Sequence, residues 1–124
     1  MMRWWLVLGA VNAFLSVAAG AFGAHGLKAR LAPDLLVIFE TGARYHMYHS
    51  LGLLAVGLLG TLRPSPLLSG AGWAMLGGIL LFSGSLYALA LTGVRTLGAI
   101  TPVGGLGFLA GWALFAIAAW RAAP

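Results

Sequence analysis

Residues 51–91 read LGLLAVGLLGTLRPSPLLSGAGWAMLGGILLFSGSLYALAL, two apolar runs parted only by Thr61-Leu62-Arg63-Pro64-Ser65-Pro66. A bilayer core takes about 20 apolar residues per helix, and these runs are too long for barrel strands of about 10 residues. Pro64 and Pro66 lack the amide a helix interior needs, so they end one helix and seed the next. The stretch predicts an antiparallel hairpin of membrane helices, approximately 45–62 and 67–91.

Upstream and downstream the same character continues, over approximately 4–24 and 98–120. The last run holds Thr101-Pro102, an N-cap followed by a first-turn proline. A helix from Pro102 to Trp120 is about 28 Å long and still spans. On that reading Leu97–Ile100 is an apolar loop dipping into the protein. The longest connection leads into the second span. There Ala32-Pro33-Asp34 reads as a helix start with Asp34 as a cap, and Leu35, Ile38 and Phe39 fall on one stripe. One straight helix from Asp34 to Leu62 would measure about 43 Å, against a core of about 30 Å. A short interfacial helix over 34–43, bending near Gly42, is therefore expected before the second span. The fold class is an all-α membrane protein: a compact four-transmembrane-helix bundle, 1–124, forming one membrane domain.

Composition agrees. Of 124 residues, 61% are hydrophobic and 7% charged, where soluble domains carry about a quarter charged residues. Mean hydropathy is +0.99. Such a chain cannot cover a soluble surface with polar groups, and it is not disordered. Its net charge of +5 arises from having two acids, and its seven bases are spread singly, so no nucleic-acid footprint is present. Without cysteine there is no disulfide, thiolate site or Cys nucleophile. Arg3, the first apolar run and the small residues 18–21 resemble a signal peptide. That run is long for one, and its removal would leave no soluble body to secrete.

Aromatic placement supports four spans. Trp4, Trp5, Trp73 and Trp120 cluster toward one face, and Tyr45, Tyr48 and Tyr87 toward the other. Both termini then lie on the same side. Arg3, Arg63 and Arg121 on that side nearly balance Lys28, Arg30, Arg44 and Arg95 opposite, so the positive-inside rule barely chooses an orientation. One fixed orientation is preferred to dual insertion.

Gly70, Ala74 and Gly78 are spaced four apart, as are Gly107 and Gly111. Small residues at that spacing let helices approach closely in lipid. Tight packing within the chain is the first expectation, an oligomer seam the second. The Gly104-Gly105-x-Gly107 run follows no strand and is not a nucleotide loop. Asn12, Ser16, Ser83 and Ser85 are the clearly polar mid-membrane groups, with Asn12 expected in an interhelical hydrogen bond.

The densest polar cluster is His25, Glu40, Arg44, Tyr45, His46, Tyr48 and His49. Glu40 four residues before Arg44 favours a helical ion pair. His46 and His49 share a helix face and, with His25, offer three imidazoles to a metal. Against this, the nearby acid is taken by Arg44, and the reading assigns no metal or cofactor. The preferred reading is a clasp in which His25, Glu40, Arg44 and His49 tie the first connection to the bundle. A small-molecule or lipid-headgroup site on the same residues is the rival. No Ser–His–acid set or carboxylate pair is present, so no catalytic residue is assigned.

At these residues the chain resembles the DUF423 family of small integral membrane proteins, the YgdD/YwdK-like and transmembrane protein 256-like proteins, function unknown. The matching stretches are Gly20–Leu27, Phe39–Gly42, Arg44–Leu51, Phe82–Tyr87 and Gly98–Gly105. The family pattern often has Gln at His46, which shifts weight to His25 and His49. The resemblance implies about four helices and a multi-pass place in the bacterial plasma membrane, and it implies no activity. The expected role is non-enzymatic: a structural or accessory component packing through its glycine-rich faces, as a homo-oligomer or in a larger membrane complex. The alternative is small-molecule or lipid binding or transport through His25, Glu40, Arg44 and His49. The bilayer is the expected partner and nucleic acid is not.

Overall fold

The computed structural model describes residues 2–122; Met1, Ala123 and Pro124 of the expected 1–124 domain lie outside the described residues. All regular structure among them is helical. Helix α1 (Arg3–Phe22) runs on through a π-helical turn, Gly23–Leu27. Helix α2 covers Pro33–Leu62. Helix α3 (Pro66–Gly78), a π-helical segment (Ile79–Ser83) and α4 (Gly84–Thr92) make one rod. A 3-10 turn (Arg95–Ala99) precedes α5 (Thr101–Ala122).

Three rods are long and apolar enough to cross a membrane: Arg3–Leu27, Pro66–Thr92 and Arg95–Ala122. Helix α2 has the length, but buried His46, His49 and Ser50 dilute its apolar character. It lies centrally. One side meets α1, the other meets α3 and α4, and α5 packs along α3, reaching α2 through side chains rather than by close backbone approach.

The break expected between an interfacial helix at 34–43 and the second span is not found. Pro33–Leu62 is one continuous helix, about 45 Å long. No proline interrupts it, and Gly42 is a contact point rather than a bend. A Cβ there would lie 3.1 Å from the Tyr87 ring, and its carbonyl accepts the Ser83 hydroxyl at 2.8 Å. The turn after Leu62 follows the proline reading, with Ser65 capping the amide of Leu68 at 3.3 Å and Pro66 in the first turn of α3.

The last helix begins at Thr101, one residue before the later expected start, Pro102, so Thr101 is its first residue rather than its cap. Leu97–Ile100 does not dip inward as a loop: it is largely 3-10 helix, and Ile100 is 40% exposed. Thr101 is already helical, and its hydroxyl shares a hydrogen bond with Ser85 at 2.6 Å. Trp5, expected in the boundary belt, is buried in a slot left by Gly72, while Trp4, Trp73 and Trp120 are exposed.

Two apolar clusters hold the rods. The larger joins Trp5, Leu53, Val56, Leu68, Met75, Ile79 and Phe108; the smaller joins Leu27, Phe39 and Ala90. The α3–α5 seam depends on small residues. A Cβ on Gly104 would overlap the backbone of Phe82, and one on Gly107 would lie 3.1 Å from the Ala74 carbonyl. The Gly104 contact falls on the π-helical segment, whose i→i+5 bonding widens the helix.

Candidate functional site

A seam of uncharged polar groups crosses the bundle along α2 between Gly42 and His49. Ser16 of α1 donates to the Ala43 carbonyl at 2.7 Å, and Ser83 donates to the adjacent Gly42 carbonyl from the other side. Both hydroxyls are buried. Away from water each finds an acceptor on α2, so α1 and the π segment are fixed against consecutive residues.

His46 sits between these contacts. Its Nε2 is 2.9 Å from Asn12 Oδ1, and its Nδ1 is 3.0 Å from the Tyr87 hydroxyl. Asn12 Nδ2 donates to the Leu8 carbonyl at 2.8 Å. A carbonyl only accepts, so the amide oxygen faces His46 and Nε2–H is the donor. In the neutral ring Nδ1 then accepts from Tyr87 O–H. One directed chain runs from Tyr87 through His46 and Asn12 to the backbone of α1, joining three helices.

His49 is equally constrained. Its Nδ1–H donates to the Tyr45 carbonyl at 2.7 Å, and its Nε2 accepts from the Trp112 indole N–H at 3.0 Å. Because an indole only donates, the imidazole is neutral with its proton on Nδ1. The ring stacks on Phe108, centroids 3.4 Å apart and planes 5° apart. Beside it a groove of about 740 Å³ opens between α2 and α5, with Tyr45, Tyr48 and His49 on one side and Gly105, Leu109 and Trp112 on the other. No charged residue lines it.

The rest of the sequence-derived cluster does not converge. His25, Glu40 and Arg44 are exposed, and Glu40 and Arg44 form no ion pair. The one ion pair among the described residues is Arg95–Asp34, at 2.5 Å. The clasp of His25, Glu40, Arg44 and His49 is therefore absent. An exposed pair four residues apart gains only about 0.3–0.5 kcal/mol against the entropy of two long side chains, and nothing here adds to it. Asp34, expected as a cap, is instead held by Arg95 where the 3-10 turn approaches the start of α2. The Arg95 guanidinium lowers its pKa below the ordinary 3.8 through their hydrogen bond.

Three residues apart on α2, His46 and His49 point to different neighbours, one to α1 and α4, the other to α5. Among the described residues no three His, Cys, Asp or Glu side chains group as metal ligands. Gly78, Gly107 and Gly111 meet Phe108, Ala74 and Met75 of the same chain, and Gly70 faces Leu114. Ala74 contributes the carbonyl that Gly107 approaches. Sequence reasoning missed Tyr87, Phe108 and Trp112 as partners of the histidines. Tyr87 carried a signal, since it closes the quoted Phe82–Tyr87 stretch. Trp112 carried none, because its pairing with residue 49 depends on helix rotation.

A profile described as "Protein of unknown function (DUF423)" matches residues 19–105, a range that contains His46, His49, Ser83 and Tyr87. The chain belongs to the DUF423 family. It is similar to the UPF0382 membrane protein YwdK of Bacillus subtilis strain 168, with 48% identity over 95% of this chain and 97% of the relative. It is also similar to the UPF0382 membrane protein SERP0230 of Staphylococcus epidermidis, 52% identical over 94% and 95%. A third relative is the UPF0382 membrane protein SSP2132 of Staphylococcus saprophyticus, 47% identical over 97% and 99%. No solved structure matches the chain. These full-length relatives are named membrane proteins, which fits a lipid bilayer as the chain's environment.

Proposed function

We propose that this chain crosses the bacterial plasma membrane four times, with α2 as the central span, and binds the hydrocarbon chain of a membrane lipid between α2 and α5. At about 45 Å, α2 exceeds the hydrocarbon core by about 15 Å. Its excess is the end carrying exposed Asp34, Glu40 and Arg44, which keeps that stretch at the interface without a break in the helix.

The groove beside His49 carries the reading. It is walled by aromatic and aliphatic side chains, and its one imidazole has both nitrogens committed to Tyr45 and Trp112. Such a surface offers area without charge, which suits an apolar chain. The accessory reading needs an outward glycine seam, and Gly70, Gly78, Gly107 and Gly111 meet their own chain. The proposed role is non-enzymatic, with His46 bonding α2 to α1 and α4 and His49 bonding it to α5.

Gly105 provides the test. A Cβ there would be 3.9 Å from Phe82, ordinary contact, so Gly105→Leu fills the groove without forcing the helices apart. In mild detergent the native protein should retain lipid by native mass spectrometry, whatever the headgroup. Gly105→Leu should fold as stably and retain much less. Equal retention by both proteins would remove the groove from consideration.

A further inference from the structure

At the opposite end of α2, a second cavity of about 630 Å³ lies where the α2–α3 turn meets the end of α5, lined by Arg63, Pro64, Ser65, Ala118 and Arg121 among others. Both arginines are exposed, and neither is in the one ion pair among the described residues. The chain has two acids, Asp34 and Glu40, both toward the start of α2. Glu40 is about 35 Å along the helix from Arg63. No described acid of the protein can reach this cavity.

Its level in the membrane follows from the aromatic residues. Trp120 adjoins Arg121 and is 84% exposed, and Trp4 and Trp73 toward the same end are 63% and 65% exposed. Exposed tryptophans mark the headgroup level of a bilayer. Arg63 and Arg121 thus lie at the level where a bilayer carries its phosphates, beside a cavity also lined by Pro64, Pro66 and Ala118. Arginine forks match phosphate oxygens in geometry as well as charge, and basic pockets between membrane helices bind anionic headgroups.

We propose that Arg63 and Arg121 form a phosphate clamp for the headgroup of an anionic phospholipid. The clamp rests on the membrane placement but not on the α2–α5 groove, and Gly105→Leu should leave it intact. Free phosphate shares the chemistry, and the test separates the two sources.

The test uses the purified full chain in nanodiscs of phosphatidylcholine alone or mixed with phosphatidylglycerol. Melting temperature and retained phosphatidylglycerol by native mass spectrometry are the readouts. Phosphatidylglycerol should raise the melting temperature of the native protein. Arg63→Gln and Arg121→Gln should each weaken its retention about fivefold, and the double variant should abolish the rise. Arg3→Gln, an exposed arginine outside the cavity, should behave as the native protein. Equal melting of all variants in phosphatidylcholine alone establishes that folding is intact. An unchanged rise in the double variant, or an equal loss in Arg3→Gln, overturns the clamp. If inorganic phosphate in phosphatidylcholine discs reproduces the full rise, the lipid assignment is overturned in favour of the free anion.

Discussion

The Tyr87–His46–Asn12 chain makes a quantitative claim about how α1, α2 and α4 are joined. Tyr87→Phe removes one oxygen and leaves the ring against Phe39, where the centroids are 4.9 Å apart. His46 Nδ1 then loses its 3.0 Å partner. In membrane proteins such a bond is worth about 0.6 kcal/mol on average and about 1.7 at most, because the unfolded chain in lipid also finds partners. His46→Leu strands both the Tyr87 hydroxyl and Asn12 Oδ1, so it should cost about 1–3 kcal/mol. With both changes the Tyr87–His46 bond is counted once, and the double variant should be milder than the sum of the singles by about 0.6 kcal/mol or more. Reversible unfolding in mixed micelles, followed by far-ultraviolet circular dichroism, measures the cycle. Leu58→Ala, at a residue 60% exposed, supplies the lipid-facing baseline. If Tyr87→Phe leaves the midpoint unchanged and the singles add within about 0.3 kcal/mol, the three groups are not a connected chain.

Gly104→Ala should disrupt the α3–α5 seam, costing about 1–3 kcal/mol or more, because its Cβ would overlap the Phe82 backbone. Gly77→Ala has open space around it and should stabilise by about 0.5–1 kcal/mol, and thermal melts of the pair decide whether close approach or helix propensity governs this rod. Glu40→Ala and Arg44→Ala should each stay within about 0.5 kcal/mol of the native protein, and a large loss from either would restore the clasp. The Asp34–Arg95 contact should persist above pH 3.8, Asp34's ordinary value, and be lost as pH falls through its lower folded value; hydrogen exchange at the start of α2 should show this, and Asp34→Asn should abolish it. Tags at the two ends should label from the same side of the membrane; opposite labelling within one molecule would contradict four spans.

Long apolar runs, Pro64 and Pro66, and Thr101-Pro102 located the helices because these signals are local. A run of 20 apolar residues needs lipid or a core wherever the chain goes, and a proline removes an amide in any environment. Close spacing of Gly70, Ala74, Gly78, Gly107 and Gly111 was equally readable as a packing feature. Which surface those glycines meet was not, since the same stripe serves a neighbouring helix or a second chain. The polar cluster shows the limit more sharply. His25, Glu40, Arg44 and His49 are close in sequence, yet only His49 is buried, because helix rotation sends the others outward. The partners that engage the histidines lie far along the chain: Asn12, Tyr87 and Trp112. Their meeting with α2 depends on how four rods turn about their axes, which small residues and the π-helical segment set collectively. Asp34 likewise reads as a cap until the 3-10 turn brings Arg95 beside it. A local signal fixes what a segment becomes; a side chain's partner depends on rotations to which every packed helix contributes.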